Sequence, residues 1–151
     1  MKFYLAYGSN LSVEAMAKRC PDAIYVGTAE IKDYRLLFKT GGSGTYLTVE
    51  PKEGESVPVL VWCISEEDER SLDYYEAYPN LYYKTTMEVE IRSFLEETKE
   101  TLAEALIYIM YEESPLGTPK QEYYEVCLEG YKRFGFDETV LERALKLSST
   151  K

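Results

Sequence analysis

The chain predicts an α+β fold with a largely antiparallel or mixed sheet, and three observations carry that expectation. Strand-like segments outnumber helical ones and follow one another in consecutive runs, which sets strands against strands rather than alternating them with helices. The 151 residues are 45% hydrophobic and 14% aromatic, enough for a single buried core. The helical patterns are short, and each has its own start signal. In chain order, Phe3 to Ala6 is an apolar run that reads as a buried strand. Ser12 can cap a helix reaching about Arg19, which Cys20-Pro21 ends. Ile24 to Val26 and Tyr34 to Phe38 read as two strands. Gly41-Gly42-Ser43-Gly44 reads as a hairpin loop leading into a strand from Thr45 to Glu50. No Gly-Lys-Ser/Thr follows those glycines, so they are not a phosphate loop. Pro51 to Ser56 reads as a polar turn, and Val57 to Ile64 is apolar on both alternations, the pattern of a strand covered on both faces.

Ser65-Glu66-Glu67-Asp68 places a cap and acidic residues at the start of a helix expected to run to about Glu76, and Pro79 bars much further extension. Tyr82 to Arg92 alternates, with Tyr83, Thr85, Met87, Val89 and Ile91 on one face and Glu88, Glu90 and Arg92 on the other, as in a half-exposed strand. Ala105 to Tyr111 reads as another buried strand. Thr118-Pro119-Lys120-Gln121 combines a cap with a proline at the first helical position. The helix after it aligns Tyr124, Cys127, Leu128 and Tyr131. Asp137 is expected to cap a last helix through Lys146. No repeat, linker or composition break divides the chain, so residues 1–151 are expected to form one domain.

Composition narrows the function. A net charge of −10 with no basic run argues against nucleic-acid and anionic-membrane surfaces. No signal-peptide pattern opens the chain and no apolar run approaches the roughly 20 residues of a membrane span, so a cytoplasmic protein is expected. Cys20, Cys63 and Cys127 are odd in number and widely spaced, which points to free thiols rather than a disulfide framework or a zinc site. The chain has no histidine. That removes Ser-His and Cys-His nucleophile pairs and imidazole metal ligands. Proton transfer near neutral pH is left to a carboxylate, a tyrosine, a lysine, a thiol or water.

Two segments have the residues for chemistry. Tyr7-Gly8-Ser9-Asn10-Leu11 interrupts the pattern between a strand and a helix, and Gly8 allows a sharp turn and a close approach to a ligand. Amides at such a turn suit an anion such as a carboxylate, although by itself the pattern also fits an ordinary turn. Glu76 lies four residues after Leu72, on the same helix face, and borders Tyr75 near the helix C-terminus. Among Tyr74, Tyr75, Tyr78 and Tyr82 its carboxylate would lose water. Desolvation and the C-terminal end of the helix dipole both raise its proton affinity, as a base working near neutral pH requires. The alternative is one more surface acid in an acidic protein.

The ordered set of segments resembles the γ-glutamylcyclotransferase-like family. The resemblance rests on the Tyr7-Gly8-Ser9-Asn10 loop, on Leu72-Asp73-Tyr74-Tyr75-Glu76 followed by Pro79 and Tyr82, on strands like Tyr34 to Phe38 and Val57 to Trp62, and on Tyr123 seven residues before Gly130. It runs from Phe3 to about Gly135. It implies a small mixed, largely antiparallel β-barrel flanked by helices. It also implies a cyclotransferase that converts a γ-glutamyl amine or γ-glutamyl amino acid to 5-oxoproline and free amine. In that reading Glu76 is the general acid/base, and Tyr7, Gly8, Ser9, Asn10, Leu11, Tyr82 and Tyr123 bind the small-molecule substrate, with no metal and no cofactor. Tyr124 competes with Tyr123 for its place. Lys84 stands where the family commonly has Arg, and Ala77 where it usually has Gly. The competing reading is a non-catalytic γ-glutamyl-binding module on the same fold. The leaving amine and the oligomeric state stay open.

Overall fold

The computed structural model describes residues 1–95 and 100–149. Five strands, β1 (Lys2–Ala6), β2 (Ile24–Gly41), β3 (Gly44–Ile64), β4 (Tyr82–Ser93) and β5 (Glu100–Met110), close into a barrel in the order β1-β3-β2-β4-β5. Neighbours are antiparallel except β1 and β5, which pair in parallel through Phe3–Ala105 and Tyr4–Leu106. Helices α1 (Val13–Arg19), α2 (Glu66–Tyr75), α3 (Gln121–Phe134) and α4 (Glu138–Ser149) complete the chain, with a 3₁₀ turn at Ser9–Leu11. This is the closed, mixed barrel that the resemblance implied. The described helices include none long and apolar enough to cross a membrane.

The barrel fills because its strands are apolar where they pair. Val57, Val59, Leu60, Val61 and Ile64 are fully buried, so the second half of β3 is covered on both faces, as its continuous apolar run required. From Ala105 to Met110 every residue of β5 is buried. Three cap expectations also hold. Ser12 accepts from the Ala15 amide and opens α1, and Asp137 accepts from the Thr139 amide at the start of α4. At α2, Ser65 and Asp68 form a reciprocal capping box.

Four expectations are corrected. The two strands at Ile24 to Val26 and Tyr34 to Phe38 are one strand, β2, whose register against β3 shifts at Tyr25/Gly27 and at Lys32/Tyr34. The polar stretch Pro51 to Ser56 does not reverse the chain. It is a bulge inside β3 opposite Asp33, closed by a hydrogen bond from the Gly54 amide to Asp33 Oδ1, and both residues have positive φ. Polar composition marks a solvent-exposed bulge as well as it marks a turn. Burial changes face along β4: Val89 and Ile91 are buried at one end, but at the other it is Tyr82 rather than Tyr83, and Thr85 is exposed. Finally, α3 begins at Gln121 with Lys120 as its cap residue and no side-chain cap. Thr118 instead donates to Ser149 Oγ at the end of α4, which runs past Lys146.

Helix α3 is seated on the barrel by a backbone-close contact. A Cβ on Gly130 would lie 2.4 Å from the Leu11 Cβ, so α3 rests directly on the 3₁₀ turn after β1. Neither atom can rotate away. Gly130→Ala is therefore expected to lose about 1–3 kcal/mol as an overpacked contact, read from the urea unfolding midpoint.

Candidate active site

A cavity of about 440 Å³ opens beyond the C-terminal end of β1. Four segments enclose it: the Tyr7–Asn10 loop, the end of α2, the tip of the β2–β3 hairpin, and Tyr123 on α3. Glu76 and Gly8-Ser9-Asn10, 66 or more residues apart in sequence, line this one space.

The position of Glu76 follows from how α2 is held. Leu72 is its fully buried apolar anchor. Polar ties do the rest. Lys84 Nζ reaches Glu69 at 2.9 Å and Asp73 at 3.0 Å, Lys2 reaches Glu69 at 2.7 Å, and Tyr108 donates to Asp73 Oδ1 at 2.6 Å. Lys84 therefore works outside the cavity, as a clamp on α2 that also sits over the Tyr78 ring. The helix ends at Tyr75. Glu76 is its cap residue, and the Glu76 amide still donates to Leu72 O at 2.8 Å. Ala77 then takes a left-handed backbone, φ 51°, which turns the chain away from the helix.

The surroundings of Glu76 differ in part from the expectation. Tyr74 is 90% exposed and Tyr78 also faces outward, so neither shields the carboxylate. Tyr4, Tyr7, Tyr75, Tyr82 and Tyr123, from five different segments, surround it instead. Among the described residues no side chain hydrogen-bonds the Glu76 carboxylate. Burial among neutral phenols pushes its pKa up to about 8, and the Arg19 guanidinium partly opposes that rise.

The loop turns its Asn10 side chain inward. Asn10 is buried, and its side chain donates to Tyr4 Oη and accepts from Arg19, while its carbonyl accepts from Trp62 Nε1. Asn10 thus reaches the cavity by its backbone. Leu11 lies outside the cavity, fully buried under Gly130. Ser9 Oγ is 2.9 Å from Tyr75 Oη, a bond that spans the cavity wall. Among the described residues the amides of Gly8, Ser9 and Asn10 have no acceptor. A Cβ on Gly8 would stand 3.2 Å from Tyr123 Oη, which explains the small residue at that point.

Tyr82 and Tyr123 meet at one peptide unit of β3. Tyr82 Oη donates to Leu47 O and Tyr123 Oη accepts from Leu47 N. Tyr7 donates to Tyr108 O at 2.6 Å. Tyr123, not Tyr124, lines the cavity; Tyr124 packs on Phe38. The sequence does not mark Tyr4, Tyr46 and Tyr108 as lining residues, because single tyrosines in strands look like core. The Gly41–Gly44 hairpin is legible as a turn, but not its approach to Leu81, whose side chain would lie 2.4 Å from a Cβ on Gly41. Cys20 and Cys127 are buried thiols with pKa values pushed up to about 12, and Cys63 is free and half-buried.

A small closed barrel in which one desolvated carboxylate and a loop of amides without acceptors line the same cavity defines a class: a barrel protein with an enclosed site for a small molecule, built without histidine. Comparison with known proteins makes this particular. The profile of the family described as "Gamma-glutamyl cyclotransferase, AIG2-like" matches residues 4–132, and the chain belongs to that family. It is 30% identical to the γ-glutamylcyclotransferase of Bos taurus over 97% of this chain and 77% of that one. The corresponding protein of Mus musculus is 28% identical over 93% and 75%. Among solved structures, one described as "Gamma-glutamyl cyclotransferase" superposes with a TM-score of 0.77 at 24% identity, over 99% of this chain and 89% of that one, which speaks to the fold. The chain is an enzyme of the γ-glutamylcyclotransferase type.

Two stability measurements test this local geometry. A carboxyl whose pKa is raised on folding favours the folded state at low pH and loses that contribution as pH rises toward the folded value. The penalty of an ionised Glu76 should therefore grow from about pH 4.5 to about pH 8 and then level off. Glu76→Gln has no such penalty. Its Tm should match wild type near pH 4.5 and exceed it by a growing margin up to pH 8–9. At position 77, a left-handed Ala costs about 1–2 kcal/mol, and glycine's looser unfolded chain returns roughly 0.4–1 kcal/mol of the relief. Ala77→Gly is expected to gain about 0.5–1 kcal/mol by urea unfolding.

Proposed function

We propose that this chain converts a γ-glutamyl amine or γ-glutamyl amino acid to 5-oxoproline and the free amine, with Glu76 as general acid/base. The observation that carries this reading is the unpaired, desolvated Glu76 carboxylate in the same cavity as the unbonded amides of Gly8, Ser9 and Asn10. The amides offer donors to negative charge, either the glutamyl carboxylate or the oxyanion that forms at the γ-carbonyl. Glu76 takes a proton from the substrate's α-ammonium group. The freed nitrogen attacks the γ-carbonyl carbon, a C–N bond forms, and a five-membered ring closes. Glu76 returns the proton to the departing nitrogen as the γ-amide bond breaks, and the second proton, shed by the ring nitrogen as the lactam forms, passes to the released amine, which leaves as an ammonium. The reaction is intramolecular, so binding has only to hold the folded conformer, and no cofactor or metal takes part. Tyr7, Tyr82 and Tyr123 shape the wall against which the glutamyl chain folds. The three unpaired cysteines suit a reducing cytoplasm, where we place the enzyme.

A base with a pKa of about 8 is close to that of the amine it must deprotonate, which is where general-base catalysis is efficient. The value of kcat/KM should rise with pH and level off above about 8. The experiment is 5-oxoproline release across a panel of γ-glutamyl amines and γ-glutamyl amino acids, with wild type and Glu76→Gln. Glu76→Gln should lose about 10²–10⁴-fold in kcat and the acid limb with it, while EDTA leaves the wild-type rate unchanged. Product release at the wild-type rate by Glu76→Gln would remove Glu76 from the mechanism. No release from any member of the panel would overturn the activity itself.

A further inference from the structure

Arg19 is the last residue of α1 and belongs to neither of the segments on which the family resemblance rests. It is half-buried, and its contacts run to both sides of the cavity. On one side its Nη1 donates to Asn10 Oδ1, the side chain that anchors the loop whose amides open into the cavity. On the other side its guanidinium carbon lies 3.6 Å from the centroid of the Tyr75 ring, so the plane stacks on the residue immediately before Glu76. Tyr75 in turn bonds Ser9 across the same wall. Asn10, Arg19, Tyr75 and Ser9 thus form a continuous strap from the loop to the end of α2.

We propose that Arg19 is a positioning residue for this enzyme: it holds the anion-binding loop and the Glu76-bearing end of α2 in register, and it places a positive charge against the residue that precedes Glu76. The proposal rests on Glu76 being the general acid/base of the cyclisation. The groups that face Glu76 from the elements around it are Tyr4 of β1, Tyr7 of the turn after β1, Tyr75 of α2, Tyr82 of β4 and Tyr123 of α3, all neutral phenols, and Arg19 of α1. Lys84, the first cation after Glu76 in the chain, is instead occupied by Glu69 and Asp73. Arginine suits the strap for two reasons. It stacks flat on an aromatic ring while keeping donors free at its edge, and it stays ionised throughout the pH range of the reaction. A lysine keeps the charge but cannot do both at once.

Three variants separate the roles. Arg19→Gln can keep a donor for Asn10 but has no charge. Arg19→Met fills the space with neither. Arg19→Lys keeps the charge without the stacked plane. Removing the charge should move the acid limb of kcat/KM upward by about half a pH unit to one unit, as for a partly screened charge. Arg19→Gln and Arg19→Met should both show that shift. Arg19→Lys should keep the wild-type midpoint but raise KM several-fold as the loop loosens. The titration of the Glu76 carboxyl carbon by NMR in ¹³C-Glu-labelled protein, identified by its loss in Glu76→Gln, reads the same midpoint without turnover. It therefore decides the electrostatic role even if the panel of γ-glutamyl compounds yields no product. If Arg19→Met does not fold, Arg19→Gln and Arg19→Lys carry the comparison. An unchanged Glu76 midpoint in Arg19→Gln, or one shifted as much in Arg19→Lys as in Arg19→Gln, would overturn the electrostatic role. An unchanged KM in all three would overturn the positioning role.

Discussion

Hydrogen-bond satisfaction among the tyrosines is the constraint on which the site depends. Seven phenols line the cavity that holds Glu76, and each hydroxyl has a protein partner: Tyr4 with Asn10, Tyr7 with Tyr108 O, Tyr46 with Ser43, Tyr75 with Ser9, Tyr82 and Tyr123 with the two polar groups of Leu47, and Tyr108 with Asp73. A buried phenol without a partner would cost about 1–3 kcal/mol and would turn toward the carboxylate. Tyr7, Tyr82 and Tyr108 donate to other groups, while Tyr4 and Tyr123 are held as acceptors by Asn10 and the Leu47 amide. The tyrosine wall is thus tied to the fold, and one carboxylate and a short row of amides without acceptors share the cavity it encloses.

The same bonds fix distances that the chain alone could not. Tyr7 binds the backbone of β5, Tyr82 and Tyr123 bind the backbone of β3, and Tyr108 binds α2. Each joins a different pair of elements. Closure of the barrel makes this possible, since β1 pairs with β3 on one side and with β5 on the other and so brings the loop after it beside Tyr108. The helix that carries Glu76 has little apolar anchorage, with Leu72 its one buried hydrophobic side chain. It depends on the Lys84–Asp73–Tyr108 cluster to stay over the barrel. The departure from arginine at position 84 therefore falls on a helix clamp and not on the cavity wall. The alanine at position 77 keeps the left-handed turn that a glycine would make more easily.

Much of the fold is legible from local signals. Caps at Ser12, Ser65 and Asp137 are short-range chemistry, and each starts the helix it announces. The continuous apolar runs at Val57 to Ile64 and Ala105 to Met110 are strands with almost no exposed face. The misreadings share one cause. Strand β2 reads as two strands, and Pro51 to Ser56 reads as a turn, because a bulge and a turn draw on the same residues: glycine, proline and short polar side chains. Only the partner strand distinguishes them. The missing cap at Thr118 is similar, since that hydroxyl has an alternative partner in Ser149 at the far end of the chain.

By itself the sequence determined the residue types and their local order: an acidic chain without histidine, a Tyr-Gly-Ser-Asn loop after the first strand, and a glutamate at the end of a capped helix. Those suffice for family membership and for naming Glu76, because they depend on neighbours a few residues away. The tertiary structure alone decided what surrounds that glutamate. Tyr4 and Tyr123 come to it from β1 and α3, Tyr74 and Tyr78 turn outward although they are its neighbours in sequence, and Arg19 reaches both walls from a helix that no motif singled out. The direction of the shift at Glu76 was legible from its own segment, but desolvation and charge act through space, so the groups that set its size belong to the closed barrel.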